Sequence, residues 1–197
     1  MDAPAMDRAL RRAIRRVGLL NLSYFGVEFT VALLIASVSL FADSIDFLED
    51  ASVNFLILMA LGWGARRRAK VGMLLALILL IPSLATLWTA WQKFHLPVAP
   101  APLPLSITGA GALVVNLSCA LMLTRYRRHS GSMMRAAFLS ARNDALANVA
   151  IIATGALTAF YPSAWPDLIV GLGIAALNAD AAHEVWQAAR EEHCAAA

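Results

Sequence analysis

Twenty-two consecutive residues, Val71–Gln92, contain no Asp, Glu, Lys or Arg. A helix that crosses the hydrocarbon of a bilayer needs roughly 20 mostly apolar residues, and a soluble domain has little use for so long an uncharged run. Leu105–Tyr126 is equally long and is broken only by Arg125. Four further segments, about 17–39, 41–64, 134–160 and 164–187, reach that length while carrying a few charges. The expectation is an all-α integral membrane protein with six transmembrane helices. Composition agrees, since 60% of the 197 residues are hydrophobic and 15% charged, against about 45–50% and a quarter in soluble domains. A short soluble chain has too little interior to hide that excess, which excludes an ordinary cytosolic enzyme or a disordered protein. Two cysteines, Cys119 and Cys194, are too few for a disulfide framework. The first apolar run is too long for a signal core and contains Asn21 and Glu28.

The basic residues set the expected orientation, because Lys and Arg collect in cytoplasmic loops. Arg8, Arg11, Arg12, Arg15 and Arg16 precede the first span; Arg66, Arg67, Arg68 and Lys70 separate the second from the third. Arg125, Arg127, Arg128 and Arg135 separate the fourth from the fifth, and Arg190 follows the sixth. Only Lys93 falls on the opposite side, with Arg142 inside a span. Both termini are therefore expected in the cytoplasm. The organisation reads as a basic N-terminal segment at 1–16, a six-helix transmembrane domain at 17–188 and a short cytoplasmic tail at 189–197. The formal charge of +3 thus sets topology rather than a nucleic-acid surface. Trp63, Trp88, Trp91, Trp165 and Trp186 fall near span ends, where interfacial anchors belong.

The acids carry the functional signal. An ionisable group in hydrocarbon costs at least about 2.5–3.5 kcal/mol on insertion scales, so it marks a functional site by default. In the second span Asp43, Asp46, Asp50 and Asn54 are spaced by three, four and four, on one helical face. In the fifth, Ser140, Asp144 and Asn148 form a stripe with Asn143 at its edge. Two helices with oxygen-rich stripes could enclose a cation, and carboxylates with hydroxyl and amide oxygens suit a divalent metal. Metal ions compete with protons for such ligands, so binding releases protons, which is the chemistry of an exchanger. Asp43, near the membrane surface, could instead belong to a solvated rim. Asn21-Leu-Ser followed by Asp50-Ala-x-x-Asn54, and Asn116-Leu-Ser followed by Asp144-Ala-x-x-Asn148, form a weak inverted repeat, a transporter habit. Asp50 lies farther from its cytoplasmic arginines than Asp144 does, so the two meet if the fifth helix begins nearer Gly131 or the helices tilt.

These residues resemble the cation diffusion facilitator family of divalent-metal/proton antiporters. The second span is similar to the family's pattern in Ser37-Val-Ser39-Leu40, Ala42-Asp43, Asp46 and Asp50, and the fifth in Asp144 and Asn148. The six-span layout and Asn116 in the fourth span fit as well. The resemblance implies a metal site of Asp46, Asp50, position 140 and Asp144, with export driven by inward proton movement through alternating access. It departs at position 140, commonly His or Asp in the family and Ser140 here. The fourth donor could then be Ser140, Asn143 or water, and oxygen ligation leans toward Mn²⁺ or Fe²⁺ without excluding Zn²⁺. The chain also stops soon after the sixth span, so the family's usual cytosolic domain is expected to be missing and a homodimer would form through the transmembrane helices.

Weaker signals are Asp180, His183 and Glu184, which share a face near the cytoplasmic end of the sixth span and could admit the ion. The tail Glu191-Glu192-His193-Cys194 could bind metal or simply be solvated, Cys119 reads as core, and Arg142 could pair with Glu28 or Glu49. No tightly bound cofactor, no enzyme constellation and no nucleic-acid partner is expected; the partners are the divalent metal ion, protons and the lipid bilayer, in a bacterial inner membrane. Two other readings fit the same acids. One is a membrane protein that binds metal for sensing or assembly without transport. The other is a cation channel, against which Arg142 and the lack of a charged ring weigh.

Overall fold

The computed structural model describes residues 3–60, 84–124, 131–177 and 187, with side chains from Arg8 onward except at 57, 59, 60 and 131–143. Among these residues the fold is all-helical, with α1 (Ala3–Ile35), α2 (Val38–Ala60), α3 (84–95), α4 (Pro102–Thr124), α5 (Gly131–Phe160) and α6 (Trp165–Leu177). The basic segment and the first apolar run make one continuous helix. Arg8–Ile35 and Pro102–Thr124 are long and apolar enough to cross a membrane. The α2 helix equals α4 in length, at 23 residues, but carries Asp43, Asp46, Glu49 and Asp50. The α5 helix begins at Gly131, the earlier start that brings Asp144 toward the depth of Asp50.

The chain reverses between α1 and α2 in two residues. Ala36 takes a left-handed φ of 51°, its N–H reaches Leu33 O at 3.4 Å, and the Ser37 N–H reaches Ala32 O at 3.0 Å. This is a Schellman ending, which satisfies carbonyls that the helix leaves open. Ser37 then caps α2, its Oγ accepting from the Leu40 N–H at 3.2 Å.

Asp167, two residues into α6, holds this turn. Its Oδ1 accepts from Ser37 Oγ (2.7 Å), Ser39 Oγ (2.6 Å) and the Ser39 N–H (3.2 Å). Its Oδ2 accepts from the Val38 N–H (2.8 Å) and from Lys93 Nζ (2.7 Å), which also donates to Ala36 O at 2.6 Å. Lys93, at the end of α3, is therefore buried in an ion pair. The C-terminal ends of α1 and α3 and the N-terminal ends of α2 and α6 meet at this turn end of the bundle. Consequently α5, which runs into α6, points the same way as α1 and antiparallel to α2.

The polarity of the bundle is inverted relative to a soluble protein. Leu34, Leu121 and Phe160 are 79%, 72% and 81% exposed, whereas Asn21, Glu28, Asp43, Asn148 and Asp167 are fully buried. Buried acids and amides beneath an apolar skin suit lipid outside and a polar interior. Trp88, Trp91 and Trp165 stand exposed near the turn end, as an aromatic belt requires. An apolar core of Ala32, Leu40, Phe41, Ile45, Leu105, Ile151 and Ile174 ties five helices together toward the turn end. A smaller cluster of Ile14, Val17, Cys119 and Leu123 closes the other end of α1 and α4. The α1 helix packs mainly on α2 and α4 mainly on α5, and the two hairpins join chiefly through α1 and α4.

Candidate functional site

The α1–α2 hairpin has a fixed antiparallel register, read from three rungs. In the first, Asn21 Nδ2 donates to Asp50 Oδ2 at 3.3 Å. Three residues further along α1 and three back along α2, the rings of Tyr24 and Phe47 meet with centroids 5.1 Å apart. Four more residues on each helix bring the Glu28 and Asp43 carboxylates face to face. The spacing of three and four keeps each set on one helical stripe. Tyr24 also donates through its hydroxyl to Thr108 O at 2.6 Å, tying the middle rung to α4. Gly111 leaves the room for this, because a Cβ there would strike the Tyr24 hydroxyl.

The α4–α5 hairpin repeats the arrangement in the opposite sense. Gly109 lies against Ile151, where an added Cβ would come within 2.9 Å of Ile151 Cγ2. Seven residues on from Gly109 is Asn116, and seven back from Ile151 is Asp144. Antiparallel register therefore sets Asn116 level with Asp144, as Asn21 is level with Asp50. The hydrogen bonds match as well: Asn54 Nδ2 donates to Asp50 O at 2.7 Å and Asn148 Nδ2 to Asp144 O at 2.6 Å. The repeat expected from a handful of residues thus has a physical counterpart in both hairpins.

Between the hairpins the carboxylates gather. Asp46 is within electrostatic reach of Asp144, Asp43, Glu49 and Asp50, and Asp144 of Asp50, Asp43 and Glu49. Asp46, Glu49, Asp50 and Asp144 are partly exposed, in contrast to the sealed Asp43. Among the described residues no group of three or more His, Cys, Asp or Glu side chains is placed to hold a metal ion, so the aspartates are electrostatic neighbours rather than a formed ligand set. The side chains of Ser140, Asn143 and Arg142 lie outside the described residues, as do Asp180, His183, Glu184 and the Glu191–Cys194 tail. Cys119 is buried in the core and donates to Asn21 Oδ1 at 3.4 Å, so Asn21 is held on one side by α4 while it holds Asp50 on the other.

Two features escape the sequence reading. One is the pairing of Glu28 with Asp43, whose signal was the common spacing of Asn21, Tyr24 and Glu28. The other is Asp167, whose partner Lys93 is the lone basic residue expected at its end of the molecule.

In a comparison with known families, a family model described as the cation efflux transmembrane domain matches residues 14–190. No curated protein matches the chain.

Proposed function

Because the chain belongs to the cation efflux family, whose members move cations across membranes, we propose that it exports a divalent metal ion from the cytoplasm in exchange for protons. In this reading six helices span a bacterial cytoplasmic membrane, both termini face the cytoplasm, and the turn end faces outward. Asp46 and Asp50 of α2 and Asp144 of α5 bind the ion, Ser140 supplies a neutral oxygen, and Asn143, Asn54 or water completes the shell. The single observation that carries the reading is that Asp144 lies within electrostatic reach of Asp46 and Asp50 from a different helix of an inverted hairpin, inside an apolar-skinned bundle.

The chemistry follows from charge balance. Several carboxylates crowded in a region of low dielectric attract a divalent ion far more strongly than they would in water. They cannot all stay ionised when the ion leaves, so protons replace it, and metal binding expels them again. Rocking of one hairpin pair against the other exposes the site to each side in turn. Asn21, bonded to both Asp50 and Cys119, orients one ligand through this motion. Two copies associate through their transmembrane helices; crosslinking in detergent that yields only monomer would contradict this.

Metal flux into proteoliposomes under an imposed pH gradient tests the function. Accumulation of Mn²⁺ or Zn²⁺ that needs the gradient and moves protons is the expected result. Flux that neither needs nor moves protons would make the protein a channel, and binding without flux would make it a sensor. Replacing Ser140→His should move the preference toward Zn²⁺, because imidazole suits zinc better than manganese; an unchanged preference would remove position 140 from the ligand set.

A further inference from the structure

Among the described residues, five buried side-chain oxygens meet no N–H or O–H donor from elsewhere in the fold: Oε1 and Oε2 of Glu28 and Oδ1 and Oδ2 of Asp43, which have only each other, and Oδ1 of Asn148. All three residues are 0% exposed. Burying one unpartnered polar group already costs a few kcal/mol, and an unpaired charge costs more. Five such atoms scattered at random would be a defect of the fold. Four of them meet in one pair. Glu28 and Asp43 face each other, two helical turns beyond the Asn21–Asp50 rung. Asp144 is within electrostatic reach of Asp43, and Asn148 stands one turn beyond Asp144 on an α5 that runs antiparallel to α2. That turn, about 6 Å, carries Asn148 away from the level of Asp46 and Asp50 toward that of Asp43. Its amide nitrogen is committed to Asp144 O, which leaves the carbonyl oxygen as the free end.

We propose that Glu28, Asp43 and Asn148 form a second divalent-cation site, adjoining the Asp46/Asp50/Asp144 site on its turn-end side. Two carboxylates and an amide oxygen are hard ligands whose charge a divalent ion balances. A single proton shared between the carboxylates would still leave one buried negative charge. The repeat does not demand the pair: the corresponding positions in the second hairpin, seven residues on from Asn116 and seven back from Asp144, are Leu123 and Ala137. The acids stand only on the turn-end side of the first hairpin, where a departing ion would pause. That role in export rests on the transport reading, whereas binding at the site does not.

The test counts Mn²⁺ bound per chain by equilibrium dialysis of the full-length protein in detergent. Wild type should bind about two ions, and the Glu28→Gln/Asp43→Asn and Asp50→Asn/Asp144→Asn variants about one each. These replacements keep side-chain shape, and an unchanged melting profile reports that the fold is intact. Asn148→Ala, which frees only the bond from its amide to its own helix, should weaken one of the two ions roughly tenfold. A count lowered only by Asp50→Asn/Asp144→Asn would overturn the second site and leave the transport site standing. A count lowered only by Glu28→Gln/Asp43→Asn would support the second site and remove the first.

Discussion

Asn21 is the residue on which the ligand geometry turns. Its amide oxygen accepts from Cys119 and its amide nitrogen donates to Asp50, so in the proposed site it would fix the carboxylate without touching the ion. Groups that hold a ligand in this way typically contribute 10–100-fold to metal affinity. Asn21→Ala should therefore weaken Mn²⁺ binding by roughly that factor in calorimetric titration, and, because it empties a buried position with two hydrogen bonds, it should also lower the melting temperature. Because protons compete for the same carboxylates, the affinity of the wild type should fall as pH is lowered. Binding that is independent of pH between mildly acidic and neutral conditions would show that the ligands do not exchange metal for protons.

Among the elements, the turn end is where the hairpins are locked together. Removing one partner of a buried, hydrogen-bonded ion pair costs about 3–5 kcal/mol. Asp167→Leu strands Lys93 as well as the Ser37, Val38 and Ser39 donors, so it should lower the melting temperature steeply. Lys93→Met leaves Asp167 with its other donors and should cost clearly less; the reverse order in thermal unfolding would mean that the ion pair, not the α2 cap, holds the turn. Ala36→Gly relieves a left-handed φ and should stabilise by about 1 kcal/mol. Uncharged runs and acid spacing made the helix order and the neighbourhood of Asp46, Asp50 and Asp144 legible in the sequence, and left a start of α5 near Gly131 as one of two ways, with helix tilt, that the acids could meet. The register between helices was not. Periodicity says which residues share a face but not which face meets which, so Glu28 could not be matched to Asp43. Lys93 and Asp167, 74 residues apart, carried no local pattern at all.

At the scale of the whole molecule, two hairpins of opposite sense enclose acids that an apolar exterior isolates from lipid. Each hairpin sets an Asn level with an Asp and bonds a second Asn back to that Asp's carbonyl. The proposed site is shared between the two hairpins, the arrangement that alternating access would use. In the proposed mechanism the ion is held jointly by α2 and α5. Reconstitution of Asp50→Asn and Asp144→Asn into proteoliposomes under an imposed pH gradient tests this most directly, one variant for each helix. The account predicts that either replacement alone abolishes Mn²⁺ accumulation; accumulation at the wild-type rate in either variant would contradict it.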